Sequence, residues 1–243
     1  MKLLDKLLGG NVLYYPGCLT KFVGKDLKEN YEKILRAIGI DFIELKEKEV
    51  CCGSPALNAG YKRVAEDLAR KNYHVFKEHR IVKIISNCPA CCKTFSQDYP
   101  LLLKEWDIKV EHVSQTIYRA IQEGKLKLKK KIEKRIAFHD PCYLGRYMNV
   151  YDEPRKILEF IGCKIVEMKF NRENSFCCGA GGGVQSNYPE LANFIANERI
   201  EQALDTKAEI LVTACSLCYF HLKRNSKEKI PVFELSQLVI QVT

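Results

Sequence analysis

Apolar residues in this chain fall into two spacings that alternate along its length. Short apolar runs at residues 12–15 and 81–86 are bounded by turn residues and read as buried strands. Between them, Leu27, Tyr31, Ile34, Leu35 and Ile38 recur at helical spacing, and Gly39 is placed to end that helix. Residues 41–45 read as a further short strand. Leu57, Tyr61, Val64, Ala65 and Leu68 predict a second amphipathic helix. The same order returns later. Residues 136–138 predict a strand, and Pro154 suits a helix start. Ile157, Leu158 and Ile161 supply that helix's stripe and Gly162 its stop. A strand at 164–168, a helix over 191–204 and a strand at 209–212 follow. Strands alternating with helices imply a mainly parallel sheet, whose ligand sites lie beyond the carboxyl ends of its strands.

The repetition extends to chemistry. One set of five cysteines runs Cys18, Cys51, Cys52, Cys88, Cys91, and a second runs Cys142, Cys177, Cys178, Cys215, Cys218. The single cysteine precedes the adjacent pair by 32 intervening residues in one set and 34 in the other, and the pair precedes the C-x-x-C by 35 and 36. Tyr15-Pro16-Gly17-Cys18 aligns with His139-Asp140-Pro141-Cys142, and Val113-Ser114-Gln115 with Leu235-Ser236-Gln237. The expected architecture is therefore α/β. It has two tandem, pseudo-twofold-related units (1–124 and 136–243), each a small, mainly parallel sheet flanked by helices. A basic linker, 125–135, joins them. Every cysteine of both sets follows a predicted strand, in a loop or at a helix start. The three segments of each set can thus converge at one sheet edge, near the interface between the halves.

Composition narrows the chemistry. A hydrophobic share of 47% and a charged share of 28% fit a globular protein, and no run of eighteen apolar residues predicts a membrane span. Residues 1–10 lack the apolar core of a signal peptide, so a cytoplasmic location is expected, with peripheral attachment to a membrane complex as a variant. Reduced thiols in that compartment favour metal binding over disulfides. The net charge of +9 would become −1 once ten thiols ionise, so the basic excess offsets bound sulfur. The aromatic residues form no basic-aromatic comb, and nucleic acid is not expected as a partner.

Five thiols per set exceed the four that zinc or a cubane cluster takes. Soft thiolates suit iron–sulfur chemistry, and a larger cluster would use the fifth. The residues alone support two iron–sulfur sites without fixing their geometry. Zinc and a metal-free thiol catalyst remain the alternatives. Cys92 and Cys163 lie outside the repeat; Cys163 reads as a small core residue, and Cys92 as buried or next to a ligand. His139 is a weak candidate for a sulfur hydrogen bond or a proton donor, against a packing role, and Asp140 shares that ambiguity. His74, His79, His112 and His221 show no ligand spacing and read as structural. Gly179, Gly181, Gly182 and Gly183 are expected to let backbone N–H groups approach sulfur.

A lone cysteine, an adjacent pair followed by glycine and a closing C-x-x-C together resemble the cysteine-rich CCG domain. The matching segments are Tyr15-Pro-Gly-Cys18, Cys51-Cys-Gly-Ser-Pro55, His139-Asp-Pro-Cys-Tyr-Leu-Gly-Arg146 and Asn174-Ser-Phe-Cys-Cys-Gly-Ala-Gly-Gly-Gly183. Two tandem copies resemble the B-type component of heterodisulfide reductase, the equivalent half of its D-type component, and the iron–sulfur subunits of lactate, glycolate and glycerol-3-phosphate dehydrogenases. The resemblance implies that each pentad holds a noncubane [4Fe–4S] cluster through all five cysteines, with zinc in one half as the variant. It implies an oxidoreductase subunit that cleaves a disulfide-type substrate or passes electrons. The alternatives are a non-catalytic electron-transfer subunit of a flavin-dependent dehydrogenase and a zinc-stabilised interaction module. No ferredoxin cysteine run occurs in the chain, so electrons are expected from a partner protein with cubane clusters or a flavin.

Overall fold

A computed structural model describes residues 9–46 and 48–243. The signal-peptide expectation for the first ten residues therefore falls mostly outside the described residues.

The first half opens with β1 (Asn11–Tyr14), followed by α1 (Cys18–Phe22), α2 (Lys25–Ala37), α3 (Ser54–Asn58) and α4 (Lys62–Glu78). Then come β2 (Ile81–Ser86), α5 (Pro89–Lys93), a π-helical turn (Thr94–Asp98), α6 (Tyr99–Leu102), β3 (Lys109–His112) and α7 (Val113–Gln122). The second half contains β4 (Arg135–His139), α8 (Cys142–Gly145), α9 (Asp152–Phe160), β5 (Lys164–Ile165), a 3₁₀ turn (Arg172–Asn174), α10 (Val184–Asn187) and α11 (Pro189–Asp205). It closes with β6 (Ile210–Thr213), α12 (Ser216–Ser226), β7 (Val232–Glu234) and α13 (Leu235–Val239).

Both sheets are parallel, ordered β1-β2-β3 and β5-β4-β6-β7. A single parallel bridge, Leu13 to Ile43, puts residue 43 beside β1, where β5 lies beside β4. With that bridge the two halves share one strand order, and in each the second extended segment is added on one side of the first strand and the third on the other, so the winding reverses there. That reversal point is where parallel sheets open a crevice at their carboxyl ends.

Three expectations need correction. The strand at 41–45 is only that one bridge, because Phe42 turns inward, edge-on to Tyr14 with ring centroids 5.6 Å apart. The strand at 164–168 pairs over two residues, and Met168 is buried on the other side of the sheet, against α11. The helix read from Leu57 to Leu68 is two helices broken at Ala59-Gly60-Tyr61, with Gly60 at φ 82°. Of the predicted stripe Ala65 is buried and Leu68 half-buried, Tyr61 and Val64 are exposed, and α4 further buries Ala69, Asn72 and Phe76. The apolar count overlaps the buried face only at Ala65 and Leu68, because that face carries small residues and an asparagine.

The halves meet through exchanged pairs: α2 packs on α13 while α9 packs on α7, and α5 meets α8 while α12 meets α1. These are equivalent elements swapped between copies, as a pseudo-twofold requires. One continuous core joins Tyr14, Tyr31, Ile34 and Ile117 to Phe138, Ile157, Val212 and Leu235. Tyr31 donates a buried hydrogen bond of 2.5 Å to Glu234 across that seam. Between the halves, Lys125, Lys127, Lys129, Lys130 and Lys131 face solvent while Leu126 is buried. No helix among the described residues is long and apolar enough to cross a membrane.

Candidate metal centre

The lone cysteine and the C-x-x-C of each pentad sit where a strand hands over to a helix. Cys18 and Cys142 open α1 and α8, while Cys88 and Cys215 stand immediately before α5 and α12, in extended conformation. Cys91 and Cys218 follow one turn later, buried under the sheet edge. The adjacent pairs lie on loops leading into α3 and toward α10.

The structure brings each pentad together. In the first, thiol contacts run in series from Cys18 to Cys51, Cys52, Cys91 and Cys88. In the second they run from Cys142 to Cys177, Cys178, Cys218 and on to Cys215. The order is identical, so the two halves build the same sulfur cage. Cys51 accepts hydrogen bonds from Cys18 and Cys52 and from the Gly53 N–H (3.5 Å), which hold its thiol down to about 2. Cys177 is held at about 2 by Cys142, Cys178 and the Gly179 N–H (3.3 Å). The contact with Cys177 and burial push the Cys178 thiol up to about 12. Without a cation only Cys51 and Cys88 in the first pentad, and Cys177 in the second, are held low, while Cys18, Cys52, Cys91, Cys142, Cys178 and Cys218 are pushed up; a multi-iron centre would supply the positive charge that ionises those. The donor set is therefore soft, five-membered and convergent, which fits an iron–sulfur cluster better than four-coordinate zinc.

The glycines divide in role. Gly53 (φ 89°) and Gly179 (φ 86°) turn the chain so that their N–H groups reach sulfur. Gly181, Gly182 and Gly183 line the cavity wall instead. Cys92 donates to the Ser86 and Glu111 carbonyls, away from the pentad, and Cys163 is a core residue beside β5.

Both pentads open on one cavity of about 560 Å³. All five cysteines of the first set line it, with Cys142, Cys178, Cys215 and Cys218 of the second. Its walls include Leu19, Pro55, Tyr143 and Leu217, with Thr20, Asn58, Gln185 and Asn187 as polar groups. At the wall, Asn58 of the first half donates to the Tyr143 hydroxyl of the second (2.8 Å).

His139 does not line this cavity. It is buried beneath the second pentad, with a ring nitrogen within 4.8 Å of the Cys178 and Cys218 sulfurs. Arg199 Nε donates to its Nδ1 at 3.0 Å, which leaves the proton on Nε2, and burial holds the ring neutral with a pKa of about 3. Asp140 is gripped by Arg155 at 2.6 and 2.9 Å and serves the loop's architecture. Sequence reasoning missed Arg199 and Asn72. Each occupies the otherwise apolar inward stripe of its helix, and that misplaced polarity was the available signal.

The cysteine-rich domain family CCG matches the chain twice, over residues 12–96 and 136–223. The chain belongs to the CCG family. This CCG protein is 35% identical to the D-type component of a dihydromethanophenazine:CoB–CoM heterodisulfide reductase from Methanosarcina acetivorans, over 99% of its own length and 60% of that protein's. It is 33% identical to a probable iron-sulfur-binding oxidoreductase, FadF, from Bacillus subtilis, covering 91% of this chain and 31% of that one. It is 30% identical to an EtfAB:quinone oxidoreductase from Syntrophomonas wolfei, covering 93% and 34% respectively. The chain thus spans at most about 60% of these relatives. The fold recurs in a hypothetical protein from Helicobacter pylori, with a TM-score of 0.68 at 12% identity over 96% of this chain and 49% of that one. By their names, FadF is a probable iron-sulfur-binding oxidoreductase and the other two curated relatives are a heterodisulfide reductase component and a quinone oxidoreductase.

Proposed function

We propose that this CCG protein is an oxidoreductase subunit of heterodisulfide reductase type. In this reading Cys18, Cys51, Cys52, Cys88 and Cys91 hold one noncubane [4Fe–4S] cluster, and Cys142, Cys177, Cys178, Cys215 and Cys218 hold the other. The observation that carries it is the single cavity reached by sulfurs of both pentads. A carrier that only relays electrons has no need for its two centres to open on one shared space. The overall reaction is R–S–S–R′ + 2e⁻ + 2H⁺ → RSH + R′SH. Clusters bound there supply electrons in single steps and iron as a soft site for sulfur.

The chain's own residues shape the rest. Leu19, Pro55, Tyr143 and Leu217 displace water around the substrate's carbon skeleton. Thr20, Asn58, Gln185 and Asn187 offer hydrogen bonds that orient its polar ends. The Asn58–Tyr143 bond holds the two cavity walls at a set separation. Electrons arrive from a partner protein carrying cubane clusters or a flavin, in a reducing, cytoplasmic setting.

The test is anaerobic purification with iron and sulfide analysis, followed by paramagnetic resonance with and without a disulfide. Eight iron per chain and a signal that changes on adding the disulfide support the proposal. A colourless protein with stoichiometric zinc overturns it. The relative named as an EtfAB:quinone oxidoreductase favours a second reading, electron transfer without disulfide chemistry. Full iron loading with no spectral response to any disulfide would select that one.

A further inference from the structure

Arg199 is among the largest side chains wholly removed from solvent in this protein. Its guanidinium donates to His139 Nδ1 (3.0 Å), the Phe170 carbonyl (2.7 Å), Gln202 Oε1 (2.8 Å) and Ser175 Oγ (3.2 Å). All four acceptors are neutral. The buried carboxylate nearby, Asp140, is already paired bidentately with Arg155. Glu167 takes the other side of Arg155 and is 39% exposed, where water screens it. A second cation, Arg146, reaches only the Glu173 and Ser175 carbonyls and is exposed. Among the described residues, Arg199 therefore stands as a buried cation with no carboxylate on it. Such a charge costs several kcal/mol unless an anion compensates it.

The one acceptor that leads toward the sulfur cage is His139, whose ring lies within 4.8 Å of Cys178 and Cys218. The first half shows what this replaces. At the matching positions, by the offset that relates Cys88 to Cys215 and by the alignment of the segments before Cys18 and Cys142, stand Asn72 and Tyr15. Both are buried and neutral. Tyr15 donates to the Val50 carbonyl (2.7 Å), and Asn72 donates to the Cys51 carbonyl (3.1 Å) and the Tyr99 hydroxyl (3.0 Å). The charged groups near the first cage, Glu49 and Lys21, form an ion pair at 3.4 Å and largely cancel. Two cages of identical sulfur order thus sit in different electrostatic surroundings.

We propose that Arg199, acting through His139, is the counter-charge of the second sulfur site and makes it the centre of higher reduction potential. Electrons entering the protein then come to rest at the second site first. The inference rests on the iron–sulfur reading above. Its physical basis is that a fixed positive charge in a low-dielectric interior favours the reduced, more negative cluster. Arg199 is a positioning residue in this role; it touches the imidazole, not the cavity.

The test is a potentiometric titration of the intact, cluster-loaded protein, followed by paramagnetic resonance. Two midpoints are expected. The higher one persists in Cys51→Ser, which retains the second site, and the lower one persists in Cys177→Ser, which retains the first. Arg199→Gln is expected to weaken reduction of the second centre at least tenfold, about 59 mV for one electron. Arg199→Lys, which keeps the charge, retains most of the potential, and neither variant moves the first centre. Equal midpoints, a reversed assignment, or Gln and Lys variants that shift alike each overturn the inference. If Arg199→Gln does not load its second centre, the wild-type and cysteine-variant midpoints still decide. Two clusters of equal potential would sink this inference alone, whereas a chain without iron would sink the functional reading with it.

Discussion

Gly17 shows how closely the first cage is fitted. Its φ of 77° is open to glycine at no cost, and a Cβ there would stand 3.0 Å from Cys88 Cβ and 3.2 Å from the Cys91 sulfur. Gly17→Ala is therefore expected to deplete iron from the first site while the second keeps its complement, read by iron analysis and paramagnetic resonance. With ψ at 157° the residue occupies an extended region essentially reserved for glycine, and backbone strain alone contributes about 1–3 kcal/mol. Pro141 holds the matching place in the second half, so a match in cysteines does not carry over to their neighbours. The thiolates at the centre of each cage give the sharper test. Cys51→Ser is expected to lose the first cluster only and Cys177→Ser the second only, each halving the iron per chain. Loss of both clusters from either single variant would show that the cages are not separate sites. The ten cysteines that the structure gathers were legible in the sequence because cysteine spacing is itself the signal. The groups behind them, Asn72 and Arg199, were not, because a polar residue inside a helix stripe declares its purpose only when its partners are known.

At the scale of elements, the two copies differ in how tightly helix and loop are joined. A Cβ on Gly179 would stand 2.5 Å from the Ala192 carbonyl oxygen, against α11. The same change at Gly53 meets only ordinary contacts, at 3.6 Å, with Ala65 on α4. Both glycines have positive φ, so both substitutions incur backbone strain, but only Gly179→Ala must also displace a helix. Chemical denaturation is expected to show Gly53→Ala losing about 1 kcal/mol and Gly179→Ala roughly 2–4 kcal/mol. Equal losses would mean that α11 yields freely. Strand and helix order could be read from periodicity, since buried strands and amphipathic helices carry different spacings. Element ends could not. The π-helical turn at Thr94–Asp98 has no apolar signature; Phe95 within it packs on Tyr15, Phe76, Tyr99 and Trp106, and Pro100 lacks the N–H that an α-helical turn would use.

For the whole molecule, the seam between the halves contains a titrating group. Burial pushes the Glu234 carboxyl up to about 7, against hydrogen bonds from Ser236 and Tyr31 that pull it down. Its folded pKa lies above the unfolded value near 4.5, so the folded state favours the protonated acid. That stabilisation is full below pH 4.5 and is lost as pH rises through about 7. Glu234→Gln keeps a neutral group there and removes the dependence. The stability of wild type relative to this variant is expected to fall by roughly 2–4 kcal/mol across that window, measured by denaturant titration of the metal-free protein. Glu49, also held near 7 by burial, titrates in the same direction in both proteins and drops out of the difference. A difference that is flat with pH would place the charge elsewhere. The chain by itself determined the duplication, the parallel α/β plan and the ten sulfurs, because each is written in local spacing that the backbone must obey. Tertiary structure alone decided that the two cages face one cavity, and that one cage is backed by a buried cation and the other by neutral groups. Those facts depend on how the exchanged helix pairs bring distant residues together across the seam, and no local pattern encodes that distance.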